Sequence, residues 1–131
     1  MITFNLFLEA LNRIETNGRK DNVPAGDNGQ AIGPLQIHRE CWEDAVAYMR
    51  RRNPRAVWNL PYSACKYWEV ACVIAMSYLM RYAPHAMMVG DWEVLARVWN
   101  GGPTGHRKAA TLPYWKKVEP VLKELEKKYN V

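Results

Sequence analysis

Cysteine is scarce and odd in number, with only Cys41, Cys65 and Cys72 in 131 residues. A disulfide framework needs more cysteines in even number, so a small stapled scaffold is excluded. No cysteine pair has zinc-ligand spacing with a histidine nearby, and His38, His85 and His106 lack mutual ligand spacing. No metal or other cofactor is expected. The three thiols read as buried; Cys65 and Cys72 stand seven apart along one apparent helix face, too far for a bridge, and a bridge to Cys41 stays open. Long apolar runs are also missing, and none approaches the ~20 residues of a membrane span, so no membrane insertion is expected. There are no internal repeats and no low-complexity segments. Neither Lys-Ser nor Lys-Thr follows Gly33, which removes a phosphate-binding loop from consideration.

What is present describes an ordinary globular chain, with 49% hydrophobic and 24% charged residues. A chain of about this length buries roughly two thirds of its unfolded surface, enough for a core without staples. One domain over residues 1–131 is expected, as a monomer. The formal net charge of +5 favours anionic surfaces, such as nucleic acid or an acidic cell wall. The strongest basic run, Arg50-Arg51-Arg52, falls where a helix would end and where the helix dipole favours cations. No nucleic-acid partner is expected from it. Met1-Ile2-Thr3 lacks the basic start of a secretory leader.

Hydrophobic periodicity predicts five or so helices. Phe4, Phe7, Leu8, Leu11 and Ile14 share one face, with Thr3 placed to cap the start and Asn17-Gly18 to end the helix. A second helix runs from Arg39 to Arg52 through Trp42, Ala45, Val46 and Met49. Val57, Trp58 and Leu60 read as a short connection. Pro61 suits the first turn of a long helix to Tyr82, whose broad apolar face makes it the buried central helix. Ala83-Pro84 stops it, and a loop with two methionines follows to Gly90. Asp91 is placed to cap the next helix, which ends at Asn100-Gly101-Gly102-Pro103. Thr111 is placed to cap the last, with Pro120 breaking or kinking it. Residues 19 to 37 hold too many breakers for a helix, so a short β-hairpin or structured loop is expected near 21–37. The fold class is therefore mainly α, of the α+β kind.

Two acidic groups stand out because they come from different local structures. Glu15 falls on the apolar face at the end of the first helix. Desolvation and the negative end of the helix dipole both disfavour its charged form, which suits a general acid. Asp27, twelve residues on, opens the Asp27-Asn28-Gly29 turn, where aspartate also has the plain role of accepting backbone hydrogen bonds. Two carboxylates meeting across a cleft would form a glycosidase arrangement. The glycines at 101 and 102 permit close approach of a ligand to the main chain, although a glycine pair also simply ends helices.

Five segments in series resemble the lysozyme superfamily, most closely the invertebrate-type lysozymes, over roughly residues 8 to 118. Ile14-Glu15-Thr16-Asn17-Gly18 is similar to that family's Glu-Ser-Gly segment, with Asp27 where its catalytic aspartate would fall. Gly33-Pro34-Leu35-Gln36-Ile37, with Trp42 shortly after, resembles its Gly-x-x-Gln-Ile segment. Arg81-Tyr82-Ala83 ends a long helix as it does there. Arg97 to Gly105, containing Trp99-Asn100-Gly101-Gly102-Pro103, resembles its Asn-Gly-Gly-Pro segment, and Thr111-Leu112-Pro113-Tyr114-Trp115 its downstream Tyr-Trp. The family is disulfide-rich and this chain is not, and the spacing from Asp27 to Gly33 is one residue shorter.

The resemblance implies a lysozyme-like fold and a muramidase, Glu15 acting as general acid and base and Asp27 as nucleophile or stabiliser, with Asp21 as substitute. It implies a substrate groove formed by Gln36, His38, Trp99, Asn100, Gly101, Gly102 and Tyr114. Peptidoglycan is the first expected partner and a chitin-like polysaccharide the second, with the protein secreted or delivered to the cell wall. A lytic transglycosylase using Glu15 alone, and a non-catalytic sugar-binding protein, are the alternatives.

Overall fold

A computed structural model describes residues 1–55 and 60–129. The expected connection at Val57 and Trp58 lies outside the described residues. Six α-helices, three 3₁₀ turns and one two-stranded antiparallel sheet make up the described chain. The mainly helical architecture with a small hairpin is the expected one.

Helix α1 (Phe4–Thr16) is bounded by its own caps. The Thr3 hydroxyl accepts from the Leu6 amide at 3.3 Å, and Asn17 takes a left-handed φ of 55° while its amide donates to the Arg13 carbonyl. Phe7, Leu8, Ala10 and Leu11 face inward, which fixes Glu15 one turn beyond them. The sheet pairs β1 (Ala31–Ile32) with β2 (Ile37–His38), Ala31 opposite His38, and an isolated bridge joins Gly26 to Ala31. Helix α2 (Arg39–Arg52) follows β2 directly and leaves its three terminal arginines exposed.

The long helix expected from Pro61 is divided. A 3₁₀ turn covers Tyr62–Lys66, Tyr67 is extended, and helix α3 covers Trp68–Tyr82. The reason lies in the hairpin. The Tyr62 hydroxyl is within hydrogen-bond distance of the Ile37 and Gln30 carbonyls, at 2.6 and 3.1 Å. Gly33, at φ +78°, lies so close to the Cys65 carbonyl that a Cβ would collide with it. These contacts hold residues 62–66 against the sheet, and the α-helix starts only after them. Cys65 and Cys72 consequently sit in different elements, and all three thiols are free. Cys65 is buried, whereas Cys41 and Cys72 are half-buried.

The methionine loop is a helix, α4 (Pro84–Val89), with Pro84 in the first turn, where its missing N–H costs nothing. Helix α5 (Trp92–Gly101) is capped by Asp91, whose carboxylate accepts from the Val94 amide at 3.2 Å, and stops at Gly102, φ +89°. Helix α6 (Leu112–Lys128) continues through Pro120. Pro120 lies on the exposed face, where solvent can serve the carbonyl its ring leaves unbonded. Thr111 makes no capping hydrogen bond, because its hydroxyl is committed elsewhere. Buried side chains of α1 to α6, with Leu35 and Ile37 of the hairpin, form one apolar cluster. α3 packs on α2, α4 and α5 and contributes Ala71, Ile74, Ala75, Tyr78 and Leu79 to it.

Candidate active site

The end of α1 is locked to the hairpin by Asn12, which is fully buried. Its amide nitrogen reaches the Arg19 carbonyl at 2.9 Å, Thr16 Oγ1 at 3.0 Å and the Pro34 carbonyl at 3.2 Å. Thr16 Oγ1 lies 2.9 Å from the same Pro34 carbonyl. Lys20 completes the cluster by donating to Asn12 Oδ1 at 3.2 Å and to Glu9 at 2.9 Å. The turn before Gln36 and the helix end bearing Glu15 are thereby held together by buried polar groups, whose removal is expensive.

Across that junction lies a cavity of about 350 Å³. Glu15, Asp27, Gln36, His38, Trp99 and Asn100 all line it, so α1, the hairpin and α5 meet there. Its size is within the range of small-ligand sites. Glu15 is half-buried, and Tyr114 Oη donates to its Oε2 at 2.7 Å. Burial holds the Glu15 carboxyl above its ordinary value of 4.5, against smaller opposing pulls from the Tyr114 hydrogen bond, His38 and Lys117. Tyr114 is itself pushed up, by burial first and then by the charge and hydrogen bond of Glu15. Asp27 lies in open surroundings. Its side chain is 63% exposed, its backbone is left-handed at φ 51°, and its Oδ2 lies 3.3 Å from His38 Nε2.

Gln36, also left-handed at φ 52°, donates through Nε2 to the Gly33 carbonyl at 3.0 Å while its Oε1 packs against the Gly26 main chain, where a Cβ would displace it. Trp99 meets Tyr78 edge to face, with ring centroids 6.0 Å apart. Gly101 and Gly102 do not line the cavity. The Gly101 carbonyl accepts from Lys108 Nζ at 2.6 Å, and its Cα lies against Thr111. Asp21 is exposed before the hairpin and outside the cavity.

The sequence reading missed Glu40, Cys41 and Tyr78, which also line the cavity. Glu40 and Cys41 follow His38 closely on the first turn of α2, and that adjacency was the available signal. Burial pushes the Cys41 thiol upward, which disfavours the reactive thiolate. Also missed was the cluster supporting the glycine loop. Arg97 donates to Thr111 Oγ1 at 2.9 Å, to Glu93 at 2.8 Å and to the Lys108 carbonyl at 2.9 Å, and Thr111 Oγ1 lies 2.6 Å from the Gly105 carbonyl. No metal-holding group of His, Cys, Asp and Glu occurs among the described residues.

A protein named lysozyme from Meretrix lusoria is 27% identical over 114 residues, 87% of this chain and 86% of that one. A lysozyme from Magallana gigas is 32% identical over 89 residues, 67% of this chain and 58% of the relative. Lysozyme 1 of Crassostrea virginica is 32% identical over 94 residues, 70% of this chain and 45% of the relative. The chain thus spans about half the length of the last two. No family model matches it. With the segments in the expected order and a mainly helical fold, the chain, whose three cysteines are free, is a relative of the invertebrate-type lysozymes.

Proposed function

We propose that the chain is a glycosidase of lysozyme type that cleaves β-1,4 bonds of peptidoglycan, with a chitin-like polymer as the secondary substrate. The observation that carries this reading is the pairing of unlike carboxylates on one cavity: Glu15, whose burial favours the protonated form, and Asp27, which is exposed. A protonated Glu15 delivers its proton to the glycosidic oxygen as the bond to the anomeric carbon breaks. The Asp27 carboxylate faces the positive charge that develops on the sugar, as stabiliser or as nucleophile. Water then attacks, and Glu15 takes back a proton. Trp99 offers an apolar face to a sugar ring, Gln36, His38 and Asn100 offer polar groups to its substituents, and Tyr114 orients Glu15. Gly101 and Gly102 act through the main-chain course of the loop. Such a protein works in or at the cell wall.

A second reading has its own support. Asp27 is open to solvent and engaged by His38, which also suits a lytic transglycosylase, where Glu15 acts alone and the sugar's 6-hydroxyl closes an anhydro ring. Mass spectrometry of fragments released from purified peptidoglycan by wild type and by Glu15→Gln separates the readings. Reducing ends from wild type alone are the expected result. Anhydro ends would mean a transglycosylase, and no fragments with either protein would overturn the enzymatic reading in favour of a sugar-binding protein.

A further inference from the structure

A second cavity, of about 380 Å³, adjoins the first. His38 and Glu40, at the end of the hairpin and the start of α2, line both. Gly29, Gln30, Arg39 and Tyr62 form the rest of the wall of the second. The Arg39 guanidinium lies 4.7 Å from the Tyr62 ring centroid and 5.8 Å from that of Trp42. Both rings are anchored: Tyr62 Oη reaches the Ile37 carbonyl at 2.6 Å, and Trp42 Nε1 donates to the Leu60 carbonyl at 3.0 Å. Stacking on fixed aromatic faces orients a guanidinium while leaving its N–H edges available.

Arg39, an exposed residue, makes no ion pair and no side-chain hydrogen bond among the described residues, like Arg50, Arg51, Arg52, Arg55 and Arg107 and unlike Arg97, Arg81, Arg13 and Arg19. What sets it apart is its place on a cavity wall beside two aromatic rings. It is also the first residue of α2, where the helix dipole disfavours a cation. A guanidinium beside two anchored rings on a cavity wall, against that disfavour and with its donors unspent, fits a planar anion presented by a bound chain.

We propose that Arg39 is the specificity determinant of an additional subsite that binds a carboxylate carried on a branch of the glycan, and so selects the acidic wall polymer over neutral N-acetylglucosamine chains. This rests on the glycosidase reading for its biological meaning but not for its test. Two sources supply the same chemistry: the lactyl carboxylate of a bare glycan strand and the carboxylates of a stem peptide attached through it. Glu40 on the shared wall repels carboxylates that enter elsewhere and narrows where the branch can lie.

The test is equilibrium binding by titration calorimetry at low salt to wild type, Arg39→Gln and Arg39→Lys, each also carrying Glu15→Gln to prevent turnover. The probes are glycan strands with stem peptides, strands whose stems have been removed to free the lactyl carboxylate, and a neutral N-acetylglucosamine oligomer of equal length. The expected result is that Arg39→Gln lowers the anionic-to-neutral affinity ratio about fivefold, as for an accessible charged pair, with Arg39→Lys restoring part of it and added salt reducing the preference. The anionic probe that shows the change identifies the branch. An unchanged ratio overturns the proposal, whether or not both affinities fall. Because the readout is binding, it stands even if wild type releases no fragments, a result that would remove the glycosidase reading alone.

Discussion

The two carboxylates of the cleft sit in opposite surroundings. Glu15 ends a helix whose last turn is tied down by Asn12 and Thr16, is half-buried, and receives a hydrogen bond from Tyr114 ninety-nine residues away in sequence. Asp27 sits on a turn of left-handed residues, 63% exposed, with His38 as its neighbour. Burial raises the Glu15 carboxyl above its ordinary 4.5, whereas Asp27 stands open to solvent. Rigid support falls on Glu15; in the proposed reaction this is the group whose proton must be aimed at one oxygen, and the exposed Asp27 would need only to face the developing charge.

The largest break in this comparison is Glu15→Gln, which keeps the shape and removes the proton. Turnover of peptidoglycan should fall about 10³-fold, within the usual worth of a general acid, as measured by release of soluble fragments. The same substitution should stabilise the fold at neutral pH by about 1 kcal/mol, since it removes a buried carboxylate. The sign follows from the raised value: above it the folded protein carries a desolvated charge, and as pH falls toward the ordinary 4.5 that penalty disappears. The gain in thermal midpoint over wild type should therefore shrink on acidification.

Asp27→Ala comes next. In a two-carboxylate hydrolase the rate falls about 10²-fold or more, as for the loss of a group that stabilises transition-state charge; a transglycosylase retains most of its rate and yields anhydro ends. Asn12→Ala attacks the support rather than the chemistry. It leaves the single hydroxyl proton of Thr16 to serve the Arg19 and Pro34 carbonyls and removes one acceptor of Lys20, and should cost about 2 kcal/mol in a denaturation experiment. The smallest effect is expected from Tyr114→Phe. Its hydrogen bond favours the charged form of Glu15, so its loss should move the alkaline limb of the rate profile to higher pH.

Local signals made α1, α2 and α5 legible, since Thr3, Asn17, Asp91 and Gly102 act within a turn of their own position. The break at Tyr67 was not legible, because it arises from Gly33 lying on the Cys65 backbone and Tyr62 reaching the hairpin. Thr111 looked like a cap and is instead a junction joining Arg97, Lys108 and Gly105. In the cleft, Glu15, Asp27, Gln36, His38, Trp99 and Asn100 came from motif order and share one cavity, whereas Tyr78 looked like core and faces the cavity as well. Asn12 was invisible for a related reason: a fully buried asparagine declares its partners only once a helix end and a distant turn have met.

Burial keeps the proton on Glu15 to a higher pH than an ordinary carboxyl would hold it. A carbon-detected NMR titration of the Glu15 side-chain carboxyl in the wild-type protein tests it most directly. The expected midpoint lies above the ordinary 4.5 and moves higher still in Tyr114→Phe. A midpoint at or below 4.5 would contradict it.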